Sequence, residues 1–375
     1  MNPSEDQRHM RLALRLARRA YGQTSPNPLV GAVLVKRGQI LGQGWHHRAG
    51  QPHAEIEALR DAERRGKSAK GATIYVTLEP CCTHGRTPPC TDAILRHGIR
   101  RVVVAATDPN PQHAGHGFEI LRAAGVEVTT GILAAESARM NESFNHWIVH
   151  RTPFVTVKSA LTLDGKIATA AGESKWITGE RARQEVMRLR AGADAILVGV
   201  GTVLADDPAL TVRTGKTVQS RRRIVLDTRA RTPLDARLVT DEFAALTTVV
   251  VGESAPRRRV QALAKCVRVL TVPEQHGHID LAPLLPLLGT DGITSLLVEG
   301  GGEVNASFLL GGHAHRVAFF YAPKILGGRT AHHAVEGAGA KSLAESLPLA
   351  ELAWRQLGPD LLLTARVGSA PATGP

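Results

Sequence analysis

Aromatic residues are scarce in this 375-residue chain: seven Phe, four Trp and three Tyr. Proteins that grip single-stranded nucleic acid stack its bases on aromatic side chains, so the scarcity weighs against that class. Cysteine is scarcer still, and three of the four fall within Cys81–Cys90. Such clustering does not make a disulfide framework and suits a metal site in a reducing cytosol. No apolar run approaches the about 20 residues of a membrane span. The opening stretch Met1–His9 is polar and lacks the apolar region of a secretory signal peptide. These absences predict a cytoplasmic protein with no membrane partner.

Acidic residues are outnumbered. The chain has 34 Asp and Glu against 46 Lys and Arg, a net charge of +12. The excess is scattered apart from Arg221–Arg223 and Arg257–Arg259, which read as solvated turns rather than a nucleic-acid stripe. A diffuse positive field also draws in phosphorylated metabolites. Charge alone does not separate those partners. The length predicts two or three domains with ample core.

His53-Ala54-Glu55, Pro80-Cys81-Cys82 and Cys90 carry the most specific chemistry. One imidazole and two thiolates fill three corners of a zinc tetrahedron. The fourth is left for water, the layout of a catalytic site. Glu55 is not needed as a ligand and stands where a proton carrier belongs. The expected set is one Zn2+ per chain on His53, Cys81 and Cys90, with Glu55 as acid/base. Cys82 competes with Cys81 by spacing; Cys81 is favoured because it directly follows Pro80. Eight residues separate Cys81 from Cys90, whereas zinc deaminases in general have two.

Apolar periodicity predicts a helix over 7–21, strands over Val30–Val35 and Ile40–Trp45, and a helix over Ala54–Arg65. That helix starts at His53 and Glu55, and helix N-termini favour negative charge, which helps keep Glu55 ionised when free. A strand over Ala72–Leu78 leads to Pro80-Cys81. A helix over Thr91–His97 puts Cys90 at its start, where a thiol pKa falls. A strand over Arg101–Ala106, a turn at Asp108–Pro111, a helix over Gly117–Ala124 and a strand over Val126–Thr129 complete an α/β layered domain, 1–146. His46 and His47 read as ordinary polar or pocket-wall residues. Asn27, on the loop before the first strand, can read a pyrimidine edge or merely satisfy its own turn.

A second α/β series spans 152–368, with 369–375 expected to be a disordered tail. Its strands are expected at Pro153–Lys158, Ala195–Gly199, Arg223–Asp227, Thr248–Val251, Ser295–Glu299 and Val317–Tyr321. Helices are expected over Glu180–Arg190 and Val304–Leu310. Gly300-Gly301-Gly302 lies between a strand and a helix, where backbone amides can approach a pyrophosphate. It is not a Rossmann fingerprint, because Asn305 stands where a third glycine belongs.

Thr24–Val33, His53–Glu55 and Glu79–Cys90, with its long insertion between cysteines, resemble the bifunctional deaminase–reductases of riboflavin biosynthesis. Leu163–Gly165, Ser174–Thr178, Gly201–Pro208 and Glu299–Gly302 resemble the reductase domain of that family. The likeness covers nearly the whole chain. It implies a cytidine-deaminase-like three-layer domain followed by a dihydrofolate-reductase-like domain. It further implies NADPH contacts from Ala160, Trp176, Thr202, Asp206 and Thr228, and from Gly301, Gly302, Glu303, Val304, Asn305, Ala306 and Ser307. Substrate would meet Asn27 in the first domain and Ser174, Arg190, Leu210, Arg213 and Glu299 in the second.

Several of these assignments have physical sense and a plain alternative. Arg190 and Arg213 can clamp a phosphate, or Arg190 can be a solvated helix end. Trp176 can stack on a flat ring or belong to a core. Lys158, at a strand end, can donate a hydrogen bond or proton to the reacting centre. His84 and Arg86, inside the cysteine insertion, are candidates for substrate contact or plain loop residues. The implied chemistry is deamination of a phosphoribosylated diaminopyrimidinone, then NADPH-dependent reduction of its ribosyl group to ribityl. The implied partners are these small molecules, with no nucleic acid, and a further copy of the chain bound through the reductase domain. The rival reading is an RNA-editing deaminase.

Overall fold

The computed structural model describes residues 3–84, 88–215 and 217–368. Arg86 and the 369–375 tail lie outside them. The chain forms two compact units, Met1–Arg151 and Thr152–Pro375.

The first unit comprises α1 (Pro3–Ala17), β1 (Gly31–Lys36), β2 (Gln39–Trp45), α2 (Ala54–Arg64), β3 (Thr73–Leu78), α3 (Cys90–Arg96), β4 (Arg101–Ala106), α4 (His116–Ala123), β5 (Glu127–Thr129), α5 (Ala134–Met140) and α6 (Glu142–His150). Its sheet order is β2-β1-β3-β4-β5. The β2-β1 and β1-β3 pairs are antiparallel and the others parallel. Strand side chains alternate between faces, and here both faces are apolar. Ala32, Leu34, Ile74, Val76, Val102 and Val104 pack with Ala58 of α2 and Ile94 of α3. Val33, Val35, Tyr75, Val103 and Ala105 pack with Met10 and Leu14 of α1. The result is helix, sheet and helix in three layers. Gly42 and Gly44 let α2 lie against β2, because a Cβ on either would collide with α2 backbone at Ala58 and Ala54. α6 runs through position 146 and belongs to this unit.

The second unit comprises β6 (Phe154–Thr162), β7 (Lys166–Ala168), α7 (Glu180–Gly192), β8 (Ala195–Gly199), α8 (Val200–Asp206), β9 (Thr211–Thr214), β10 (Thr217–Ser220), β11 (Arg222–Leu226), α9 (Arg237–Thr240), β12 (Thr247–Gly252), α10 (Arg257–Ala264), β13 (Arg268–Val272), β14 (Glu274–Gln275), β15 (His278–Ile279), α11 (Leu281–Thr290), β16 (Ser295–Val298), α12 (Gly302–Leu310), β17 (Arg316–Ala322), β18 (His332–His333), β19 (Leu349–Leu357) and β20 (Asp360–Val367). Among the described residues its main sheet runs β13-β12-β11-β8-β16-β6-β17-β20-β19. Neighbours are parallel from β13 to β17 and antiparallel at β17-β20 and β20-β19. Strands buried on both faces read as continuous Val/Ile/Leu runs, as in Ala195–Gly199. Val157, Leu197 and Val298 face one core, Ile196, Val198 and Val249 the other.

Neither basic run is a turn, although Arg222, Arg257 and Arg258 are exposed. Arg223 is fully buried, with its guanidinium on both oxygens of Asp241 at 2.6 and 2.7 Å. Arg221 and Arg222 donate to the Ala191 and Asp291 carbonyls. Arg257–Arg259 open α10, and Arg259 donates to the Ala230 and Thr232 carbonyls.

Candidate active sites

In the first unit, α2 and β3 bring the metal-type residues together. His53 is the N-cap of α2. Its Nδ1 lies 3.4 Å from Cys81 Sγ, just past β3, and 3.3 Å from Cys90 Sγ, at the start of α3. All three donor atoms lie within 4.8 Å of one another. Zinc with Zn–S about 2.3 Å and Zn–N about 2.05 Å sets tetrahedral S and N about 3.6 Å apart, so this donor set fits zinc. Cys82 is outside the cluster; its Sγ meets His113 Nδ1 at 3.5 Å.

Burial shapes the protons here. Glu55, only 3 % exposed, has its carboxyl pushed up to about 7 by desolvation. Cys81 is lowered to about 4 by the hydrogen bond from the Cys90 thiol and then by His53, while Cys90 is pushed up by the same bond and by burial. His53 is raised to about 8, chiefly by Cys81.

Around the cluster, Asn27 Nδ2 lies 3.1 Å from His46 Nε2, and His46 Nδ1 lies 3.1 Å from the Pro52 carbonyl. His46 is thus a buried link between Asn27 and the chain entering α2, which sequence reasoning missed; only its closeness to His53 hinted at it. Glu79 was missed too. Its buried carboxylate accepts from the Asp108, Gly115 and Gly117 amides, tying the loop before α4 to the end of β3. His84 is exposed on the loop after Cys82.

In the second unit one cavity of about 1340 Å³ opens along the carboxyl ends of the parallel strands, where open α/β sheets bind ligands. Lys158, Ser174, Arg190, Leu210, Arg213 and Glu299 all line it. So do Ala160, Trp176, Thr202, Asp206, Thr228, Gly301, Gly302, Glu303, Val304 and Ser307. Asn305 and Ala306 do not. Asn305 is fully buried and donates to the Ala334 carbonyl, and Ala306 is buried beside Gly337. Both therefore lie on the side of α12 packed into the unit. A Cβ at Gly301 would meet open space, so the α12 N-terminus is accessible to an anion.

Arg190 is neither a solvated helix end nor a free phosphate clamp. Its Nε and NH2 bind both oxygens of Glu299 at 2.6 and 3.0 Å, and its NH1 binds the Thr211 carbonyl. Lys158 Nζ reaches the same carboxylate at 3.3 Å. Burial pushes Glu299 up, but the Arg190 and Lys158 charges outweigh it and hold the carboxyl at about 2. Trp176 is 64 % exposed, with the Arg183 guanidinium 4.8 Å from its ring centre, so it is no core residue. Asp206 takes Lys175 at 3.0 Å and Ser174 at 3.5 Å.

A three-layer unit with a His/Cys/Cys cluster, followed by a parallel-sheet unit with a dinucleotide-sized cavity, defines a zinc deaminase joined to a reductase. Residues 3–106 match the cytidine and deoxycytidylate deaminase zinc-binding region, and residues 153–363 match the RibD C-terminal domain. The riboflavin biosynthesis protein RibD of Aquifex aeolicus (strain VF5) is 45 % identical over 358 residues, 96 % of this chain and 97 % of that protein. Acinetobacter baumannii RibD in crystal form 1 superposes with a TM-score of 0.87 at 39 % identity, covering 98 % of this chain and 100 % of that one. A diaminohydroxyphosphoribosylaminopyrimidine deaminase/5-amino-6-(5-phosphoribosylamino)uracil reductase from Thermotoga maritima superposes with a TM-score of 0.84 at 35 % identity, covering 98 % and 99 %. The chain belongs to the RibD family of riboflavin biosynthesis. It is a bifunctional enzyme, with a cytidine-deaminase-like deaminase domain and a RibD-type reductase domain. No helix among the described residues is long and apolar enough to cross a membrane.

Proposed function

We propose that residues 1–146 deaminate 2,5-diamino-6-(5-phosphoribosylamino)pyrimidin-4-one, and that residues 152–368 then reduce the ribosyl group of the product to ribityl with NADPH. The observation that carries the reading is the meeting of His53, Cys81 and Cys90 beside buried Glu55. His53 Nδ1, Cys81 Sγ and Cys90 Sγ would hold one zinc ion, which supplies Lewis acidity toward the attacking water. Glu55 takes the proton of that water, passes it to the ring nitrogen, and then carries a proton to the departing ammonia. Asn27, fixed by His46, holds the pyrimidine edge, and His84 and Arg86, in the sequence between the two zinc-ligand cysteines, contact the substrate.

In the second unit the nicotinamide cofactor supplies a hydride for C1 of the ribosyl group. Lys158, steadied by Glu299, donates a hydrogen bond or proton as the sugar opens. Arg190 acts through Glu299, and Arg213, Ser174 and Leu210 line the substrate end. The α12 N-terminus, with Gly301 open toward the cavity, receives the pyrophosphate. We also assign the enzyme to the cytoplasm. Self-association through the reductase unit fits edge strand β19, which exposes Leu352 and Trp354.

The test of the deaminase half is Glu55→Ala in zinc-loaded protein. The expected outcome is a drop in ammonia release of at least about 100-fold, the usual size of general acid–base catalysis, with zinc retained by metal analysis. Undiminished ammonia release would remove Glu55 from the mechanism.

A further inference from the structure

The deaminase unit holds a cavity of about 430 Å³ between the end of α1, strand β2 and one face of α2. We propose that it binds a phosphomonoester of nucleotide size, gripped by Arg19, Arg64 and Arg65. None of the zinc-cluster residues lines it, nor do Glu55, Asn27 and His46. The site is thus separate from the two reactions proposed above.

Three elements build the walls. Arg19 lies in the short 3-10 turn that follows α1. Gln43, Gly44 and Trp45 end β2, which is the edge strand of its sheet. Glu57, Asp61, Arg64 and Arg65 are four, seven and eight residues apart, so α2 turns them to one face.

The carboxylates in the cavity are already engaged. Asp61 accepts from the Gln43 amide at 2.9 Å and pairs with Arg65 at 2.8 Å and Arg64 at 3.5 Å. Glu57 pairs with Arg60 at 3.2 Å, and Arg60 does not line the cavity. Arg64 and Arg65 are exposed at the rim, and a guanidinium has five N–H donors to share. Arg19 pairs with no carboxylate among the described residues; its guanidinium rests over the Trp45 ring, 4.9 Å from the centre. Trp45 also packs with Ala17, Ala20 and Leu29 and has the His47 ring 4.5 Å away. With the indole so occupied, charge rather than stacking selects the ligand.

That selection favours phosphate. A phosphomonoester carries nearly two negative charges at pH 7, and guanidinium groups bind it in bidentate fashion. The cavity lies within the about 300–1,000 Å³ of small-molecule sites. The approach is charged as well. α1 exposes Arg8, Arg11 and Arg15, three and four residues apart on one face, and exposed Arg18 and Arg19 follow. Of the acids in its first turn, Asp6 is spent on Arg101. Like charges at this spacing repel one another; a bound anion relieves the repulsion, and the stripe draws anions toward the cavity.

The test uses the full zinc-loaded chain and follows tryptophan fluorescence during titration with 5′-UMP, 5′-GMP and ribose 5-phosphate, with uridine and guanosine as controls. The expected result is a saturable change with the phosphates, as Arg19 leaves the indole, and none with the nucleosides. Trp45→Phe loses that change. Arg64→Ala and Arg65→Ala each weaken the Kd about ten-fold, as expected for a lost charge-assisted hydrogen bond, and Arg64→Lys weakens it less. Arg11→Ala removes the same charge outside the cavity and changes the Kd far less. Zinc retained by each variant shows that its deaminase unit is folded. No saturable change, a change that Trp45→Phe keeps in full, or equal weakening by Arg11→Ala and Arg64→Ala, the mark of a diffuse field only, overturns the site.

Discussion

Glu299 is buried with two cations, so its charge is costly to hold and costlier to remove. Replacing one member of such a cluster leaves the others buried and unpaired, at about 3–5 kcal/mol. Glu299→Gln should lower stability by that order in urea unfolding, since Arg190 and Lys158 then lack their shared carboxylate. The pH dependence follows from the direction of the shift. The carboxyl is depressed from 4.5 to about 2 in the folded chain. Its contribution is therefore full above about pH 4.5 and is lost as the pH falls toward 2. Unfolding followed from pH 6 to 3 should show a loss of stability that Glu299→Gln lacks. At the zinc site, Cys81→Ser should abolish zinc retention on dialysis, whereas Cys82→Ser should keep one zinc per chain. Equal losses would contradict the geometry. Pro80-Cys81 and His53-x-Glu55 were legible because ligand chemistry restricts residue types. The role of Arg190 was not, because a guanidinium that clamps phosphate and one that braces a carboxylate look alike in sequence.

Helix α2 is the element that positions the deaminase site. Gly44 puts no side chain between it and β2, and a methyl group there would meet the Ala54 carbonyl and the Ala58 amide. Gly44→Ala should push α2 outward, costing about 1–3 kcal/mol as overpacking does. His53 and Glu55 move with its first turn. Ammonia release should fall sharply, while NADPH oxidation on supplied deaminated intermediate persists. Unaltered ammonia release would show that α2 is not held by this contact. The central strands were readable because both of their faces are covered, which leaves apolar runs of strand length. Helices α5 and α6 were not read: α5 buries only Ser137 and α6 buries no residue fully, so neither prints a clear apolar stripe. Strand β19 escaped for the same reason, being exposed along nearly its whole length.

At the scale of the whole molecule, two units divide two chemistries that share one substrate skeleton. The resemblance in the sequence reached nearly all of the chain because each unit carries its own motif. Periodicity alone gave two α/β series and no reaction. Self-association through β19 predicts a mass above the 40.0 kDa of one chain in sedimentation. Trp354→Lys, which puts a charge on that edge, should shift the protein toward the monomer; an unchanged mass would move the contact elsewhere.

The central claim is that deamination comes first and reduction second. One time course tests it: zinc-loaded wild type with the diaminopyrimidinone, following ammonia with and without NADPH, and NADPH oxidation alongside. The account predicts ammonia release without NADPH and NADPH oxidation that lags behind it. Oxidation of NADPH before any ammonia appears, or neither signal with zinc bound, would contradict it.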